Sequence, residues 1–289
     1  KKALEFYMIA ALLTAKDANL WKRNVQLSVE IGNIQQAIFC LTRIIRLQPN
    51  NHSAIFDRAI YHMKLGNKKK AIEDYKLLHE KLPSDHEVVI QLATLCYETD
   101  QSDKAVEVLK KAVESNLAHA NLTMVNMLCE LYMGKAQYKN AINIIESVST
   151  ETHLPLELMP VDIRVKYAIC KSYEGELMTV GRNIFNDIVE NHNADEINDI
   201  LLDIAETYFV LEEYQHAISI YKRMLTPKNQ KNAVVWAKIG NCYKLLGDYL
   251  AAAEHYSVAV AYAPDDLPSK LTLSDIYKDL GDHDKALKA

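Results

Sequence analysis

The sequence predicts an all-α fold, a superhelical solenoid of antiparallel helix pairs. Three observations predict it. A small residue recurs at Ala3, Ala37, Ala71 and Ala105, each 34 positions after the last, and returns at Ala141, Ala217, Ala252 and Ala286. Pro49 and Pro83 keep the same 34-residue interval. Gly and Pro number only 8 and 7 in 289 residues, as a nearly all-helical chain requires.

The stretch from Ala233 to Asp266 supplies the template. Trp236, Ile239, Gly240 and Tyr243 run i, i+3, i+4, i+7, one stripe of a first helix. Gly240 has no side chain, so a second helix can approach there, and Ala252 offers a matching small surface. Gly247 suits the turn between them. Tyr256 and Ala259 continue the second stripe, and Pro264 ends it because proline has no N–H to donate. The order W-x2-I-G-x2-Y, A-x3-Y-x2-A, then P resembles the tetratricopeptide repeat (TPR) at every signature position.

Shifting the template lays out the chain. Lys1 to Ala15 reads as a second helix, with Ala3, Tyr7 and Ala10 at its signature positions, and so as the start of a fragment of a longer solenoid. Repeat one spans 18–51, with Trp21, Gly32, Ala37, Leu41, Ile44 and Pro49. Asn24 stands where Leu or Ile is usual, so it either weakens the packing or finds a hydrogen-bond partner. Repeat two spans 52–85 and repeat three 86–120, the latter with Asp100 at its turn and no closing proline. Repeat four spans 121–148. Ser149 to Pro160, with Pro155 and Pro160, shows no helical stripe and reads as a linker or hinge between a first block, 1–148, and a second, 161–289. The pair at 161–191 is degenerate, with no Ala at the expected place in its second helix. Repeat six, 198–228, and the template repeat restore the pattern, and one truncated repeat runs to Ala289.

No stretch of about 18 apolar residues is present, so no membrane-spanning helix is expected. Cys40, Cys96, Cys129, Cys170 and Cys242 form no CxxC pair, which fits reduced core thiols in a reducing compartment. No phosphate-loop, dinucleotide, nucleophile-elbow or kinase motif occurs, and no His/Cys cluster has metal-ligand spacing. The expectation is no enzyme activity, no catalytic or metal site and no cofactor. The charge is uneven: residues 1–81 hold 14 Lys+Arg against 7 Asp+Glu, and the remainder 19 against 31. A basic end and an acidic remainder suggest different partners.

Function is expected on the concave face lined by first helices. Template counting places Lys22, Gln26, Phe56, Ile60, Met63, Thr94, Tyr97, Asn126, Glu130 and Met133 there in the first block. In the second it places Leu202, Glu206, Phe209, Ala237, Asn241, Lys244 and Asp275. The apolar content of the first set suits a helical or extended peptide, or else some of these residues pack on neighbouring helices. The Lys and Asn pairs that clamp chaperone tails are absent: Lys22 is followed by Gln26, and Ala237 stands before Asn241. Arg43, Arg46, Lys64, Lys68, Lys69 and Lys70 form a basic set that could meet an acidic partner or nucleic-acid phosphates.

Three stretches point to a narrower likeness. Trp21 to Pro49, with Asn33-Ile-Gln-Gln-Ala-Ile-Phe-Cys40, resembles the TPR subunit of TFIIIC, the RNA polymerase III general transcription factor. Met159-Pro-Val-Asp-Ile-Arg-Val165, which is not a repeat signature, is similar to the start of that subunit's second block. Ala233 to Ala289 also resembles it. The resemblance implies a nuclear scaffold that recruits TFIIIB through its TFIIB-related and SANT-containing subunits and sits beside other TFIIIC subunits. Any DNA contact would be indirect or non-specific. A TPR adaptor of another complex is the alternative. The family's irregular insertion between blocks is often acidic, whereas 149–160 is short and not acidic.

Overall fold

A computed structural model describes residues 2–288, apart from the side chains of Met178 and Lys288; Lys1 and Ala289, where the expected first helix and last repeat reach the ends, lie outside the described residues. The described residues form seventeen α-helices and no strand. They divide into two compact units, residues 2–135 with 150–153, and residues 136–149 with 154–288.

In the first unit the helices are α1 (Lys2–Leu13), α2 (Ala18–Glu30), α3 (Ile34–Leu47), α4 (His52–Lys64), α5 (Lys68–Lys81), α6 (His86–Glu98), α7 (Ser102–Ser115) and α8 (Leu122–Gly134). Each packs on the next in chain order. The starts are set by side-chain caps: Asp17, Asn33, Asn51, Asp85 and Asn121 each accept a first-turn backbone N–H. The recurring Ala37, Ala71 and Ala105, and Ala59 and Ala93 on the first helices of their pairs, are buried. Trp21 is 1% exposed, and its indole N–H donates to the carbonyl of Ala15.

Asn24 finds partners. Its amide donates to the carbonyls of Tyr7, at 3.0 Å, and Leu20, at 2.9 Å, tying α1 to α2. On α1 the buried residues are Leu4 and Ala11 rather than the expected Ala3, Tyr7 and Ala10. The helix turns that face toward α2 and α3, where Met8 meets Cys40. A second polar tie crosses three helices: Arg58 on α4 pairs with buried Asp74 on α5 and donates to Thr42 on α3.

The second unit contains most of α9 (Tyr138–Thr152), then α10 (Val161–Lys171), α11 (Arg182–Asn191), α12 (Asn198–Val210), α13 (Tyr214–Met224), α14 (Ala233–Leu245), α15 (Tyr249–Tyr262), α16 (Leu267–Asp279) and α17 (His283–Lys288). Helix α9 runs to Thr152, so the expected irregular stretch at 149–160 holds its last turn and a 3-10 turn at Leu156–Leu158. The degenerate pair has a physical explanation. Between α10 and α11 the stretch Ser172–Gly181 is broken by two non-helical residues, Gly175 with φ 95° and Glu176, where the chain turns from one helix to the next. Gly181 serves as the missing small residue: a Cβ there would strike the Ser172 hydroxyl and the Ala168 carbonyl.

At the template pair, Gly240 is buried against the ring of Tyr256; a Cβ at Gly240 would lie 2.7 Å from it. The close approach anticipated at Gly240 is real, and the surface it meets is Tyr256 rather than Ala252. The turn between the helices of a pair needs a left-handed residue, supplied by Gly247 at φ 81°. Three equivalent turns use Asp100, Ala136 and Glu212 instead, at φ 57°, 54° and 62°.

Candidate functional site

On the first unit, α2, α4, α6 and α8 are the first helices of their pairs. Lys22 and Gln26 are exposed on α2 and, with Asp57 of α4, line a cleft of about 340 Å³. Burial holds the Asp57 carboxyl above its usual pKa. Phe56 and Ile60 are half-buried, and the Phe56 ring stands edge-on to Tyr75 of its own pair at 5.8 Å. Phe56 is therefore partly a packing residue. Met63 and Tyr97 are exposed, Tyr97 to 60%. Thr94, Asn126 and Met133 are half-buried, and Glu130 is exposed.

Thr94, Tyr97 and Glu130 come together in a second cleft, of about 250 Å³, between α6 and α8; Ala93, Met127, Leu131 and Gly134 add apolar lining, and Ser102 and Lys135 add polar lining. Ile90, at the position on α6 that Phe56 holds on α4, is half-buried on the same face and was not anticipated; the 34-residue shift from Phe56 finds it.

The second unit's candidates are more tied down. Glu206 accepts from the hydroxyl of Tyr221 at 3.0 Å and pairs with Lys238 of α14. Burial, with Glu206 adding to it, pushes the Tyr221 phenol far above its usual range. Phe209 lies edge-on to Tyr214 at 5.6 Å. Leu202, Ala237, Asn241 and Lys244 are half-buried. Lys278 holds Asp275 at 2.9 Å and lowers its carboxyl pKa. Val234 and Leu271 are exposed on α14 and α16 and were missed, because the template draws attention to signature positions rather than to what flanks them.

The basic residues do not form one uniform patch. Arg43 lies over the Phe39 ring at 5.1 Å, Lys64 over Tyr61 at 5.4 Å, and Lys68 pairs with Glu98 at 3.0 Å. Arg46, Lys69 and Lys70 are exposed. The lysines of α5 sit at the helix N-terminus, where the macrodipole disfavours positive charge.

All five cysteines are free and buried. Burial pushes the thiols up, Cys40 to about 11 and Cys170 and Cys242 to about 12, so they carry little thiolate at neutral pH. Among the described residues no group of three or more His, Cys, Asp or Glu could hold a metal ion, and no helix is long and apolar enough to cross a membrane.

Helix pairs repeating every 34 residues, joined by left-handed turns and crossing at small residues, define a tetratricopeptide-repeat array. The tetratricopeptide repeat family profile matches residues 86–119, 233–266 and 267–289. The fold is similar to that of a tetratricopeptide repeat protein from Parabacteroides merdae, at TM-score 0.58 and 16% identity over 90% of this chain and 98% of that one. Along its whole length the chain is similar to human General transcription factor 3C polypeptide 3, 30% identical over 315 residues that cover 100% of this chain and 35% of the relative. It is also similar to the Saccharomyces cerevisiae transcription factor tau 131 kDa subunit, 20% identical over 369 residues, 96% of this chain and 36% of that protein. The chain thus spans about a third of the length of the curated relatives it matches. The resemblance to the TPR-bearing subunit of TFIIIC therefore extends over the full chain.

Proposed function

We propose that this chain is part of a non-catalytic, nuclear scaffold subunit of TFIIIC that holds protein partners on its first-helix faces and bridges TFIIIC to TFIIIB in RNA polymerase III transcription. The observation that carries the reading is the likeness to a general transcription factor subunit along the whole chain. The apolar face of the first unit supports it, with Met63 and Tyr97 exposed where a peptide could lie. The partners proposed are the TFIIB-related and SANT-containing TFIIIB subunits and other TFIIIC subunits. The stretch 149–160 is proposed as the joint between repeat blocks. The test is a titration of the chain with the TFIIB-related TFIIIB subunit, beside short duplex DNA, at two salt concentrations. Saturable protein binding that weakens about tenfold in Tyr97→Ala is expected. Binding to DNA alone, lost steeply with salt, would shift the function to Arg46, Lys69 and Lys70.

A further inference from the structure

Two loops of the second unit carry opposite charge and meet. The α11–α12 connection, residues 192–197, holds Asp195 and Glu196 and no Lys or Arg. The α13–α14 connection, residues 225–232, holds Lys228 and Lys231 and no Asp or Glu. One carboxylate latches them: the Thr226 hydroxyl donates to Asp195 Oδ1 at 2.6 Å, and Lys228 pairs with Asp195 Oδ2 at 3.1 Å. The Thr226 bond first, and Lys228 after it, hold the Asp195 carboxyl below its usual pKa. Asn229 adds a longer reach of 3.5 Å to Asn198. The same segment has a second property. Of the seven prolines, Pro227 is the only one that follows a Ser or Thr. Nor is it a closing proline of the repeat: Pro49, Pro83 and Pro264 stand 12 residues after Ala37, Ala71 and Ala252, whereas Pro227 stands 10 after Ala217. Thr226 to Asn229 form a surface turn, in which the Asn229 N–H donates to the Thr226 carbonyl at 2.9 Å and Pro227 and Lys228 are exposed. Proline-directed protein kinases select such a dipeptide because proline brings no N–H into the pocket that follows the acceptor residue.

We propose that Thr226 is a phosphorylation site for a proline-directed kinase using ATP, and that the phosphate opens the latch between the two loops. Thr226 Oγ1 forms the bond to the γ-phosphorus as the bond to ADP breaks, and the hydroxyl proton passes to the kinase's catalytic carboxylate. The product has lost the hydrogen that Asp195 accepts and sets a charge of about −1.5 to −2 against it. Lys228, two residues on, exchanges the Asp195 carboxylate for the phosphate. The opened loop leads directly into α14, where Asn232 caps the helix and the Gln230 carbonyl accepts from Trp236, so the start of that helix is loosened. Thr226 is on none of the first-helix faces assigned to partners above, and the modification stands apart from the scaffold reading.

The test treats the full chain with a cyclin-dependent kinase and MgATP, locates phosphate by mass spectrometry of proteolytic peptides, and then reads amide hydrogen exchange. Parent, Thr226→Val and Asp195→Ala are compared, and a circular-dichroism melt checks that both variants fold. Phosphate is expected on Thr226 of the parent. It is expected to speed exchange at 192–198 and 225–232 by at least about tenfold. Thr226→Val, which removes the donor and keeps the side chain's shape, is expected to speed exchange at 192–198 without any kinase. In Asp195→Ala both segments should exchange fast from the outset, and phosphate on Thr226 should add little. A parent left unmodified at Thr226 removes the site, whether or not Asp195→Ala accepts phosphate. Unchanged exchange after phosphorylation, or full protection in Thr226→Val, removes the latch. An equal gain on phosphorylating Asp195→Ala removes Asp195 as the group the phosphate repels. Each of these outcomes overturns the proposal.

Discussion

Ala136 is the least comfortable residue in the turns. It is exposed, holds φ 54°, and has no polar side chain to compensate locally. A left-handed conformation costs an ordinary L-residue about 1–2 kcal/mol. Glycine removes that cost and gives back part of it as unfolded-chain entropy, about 0.4–1 kcal/mol. Ala136→Gly is therefore expected to stabilise the chain by about 0.5–1 kcal/mol. Asp100→Gly, which starts from a residue more at ease with positive φ, should gain less. Urea midpoints of the two variants decide it, and a destabilised Ala136→Gly would mean that the turn is held by something other than backbone conformation. In the sequence, Gly32 and Gly247 announced their turns. Asp100 was noted as a departure, while the demand on Ala136 became visible only as a backbone angle.

Between elements, the crossing of α14 on α15 is set by the bare backbone of Gly240 against the Tyr256 ring, which is 6% exposed and has little room to retreat. Gly240→Leu is expected to cost about 1–3 kcal/mol through overpacking. A thermal melt that superimposes on the parent's would mean the two helices do not meet as described. The helix pairs were legible because Trp, Gly and Ala recur at fixed offsets, so that expected and observed boundaries for 18–51, 52–85 and 233–266 agree within a few residues. The pair at α10 and α11 was not. The template seeks Ala in the second helix, whereas here Gly181 does that job, six residues after the left-handed Gly175 instead of the five that separate Gly247 from Ala252.

At the scale of the molecule, titration links the first unit's stability to pH. Burial lowers the pKa of His62, with Arg58 and Lys70 lowering it further and Asp74 and Glu73 opposing them. Burial also lowers that of His79, with Lys111 lowering it further and Glu80 opposing. The folded chain then refuses protons that the unfolded chain accepts below its value near 6.5. Stability is full above that value and falls as pH drops through the window down to the depressed folded values. Urea midpoints taken at about pH 7 and about pH 6 should decrease, and the His62→Gln/His79→Gln variant should flatten the difference. A parent chain with equal midpoints would contradict the buried, neutral state of both rings. The candidate site was only partly legible at this scale. Tyr97 and Met63 followed from repeat counting. The tie of Glu206 to Lys238, 32 residues onward, did not, because it depends on two pairs stacking.

The tryptophans have a practical consequence. The chain has only two, and each unit owns one. Trp21 is sealed, with the Phe39 ring edge-on at 6.1 Å, whereas Trp236 is half-buried, its indole N–H given to the Gln230 carbonyl at 2.7 Å. Intrinsic emission is thus already divided by address and by colour, a shielded blue component from one unit and a redder one from the other. Replacing either indole with phenylalanine leaves a single-channel optical reporter, so the melting of each unit can be watched separately without attaching a dye.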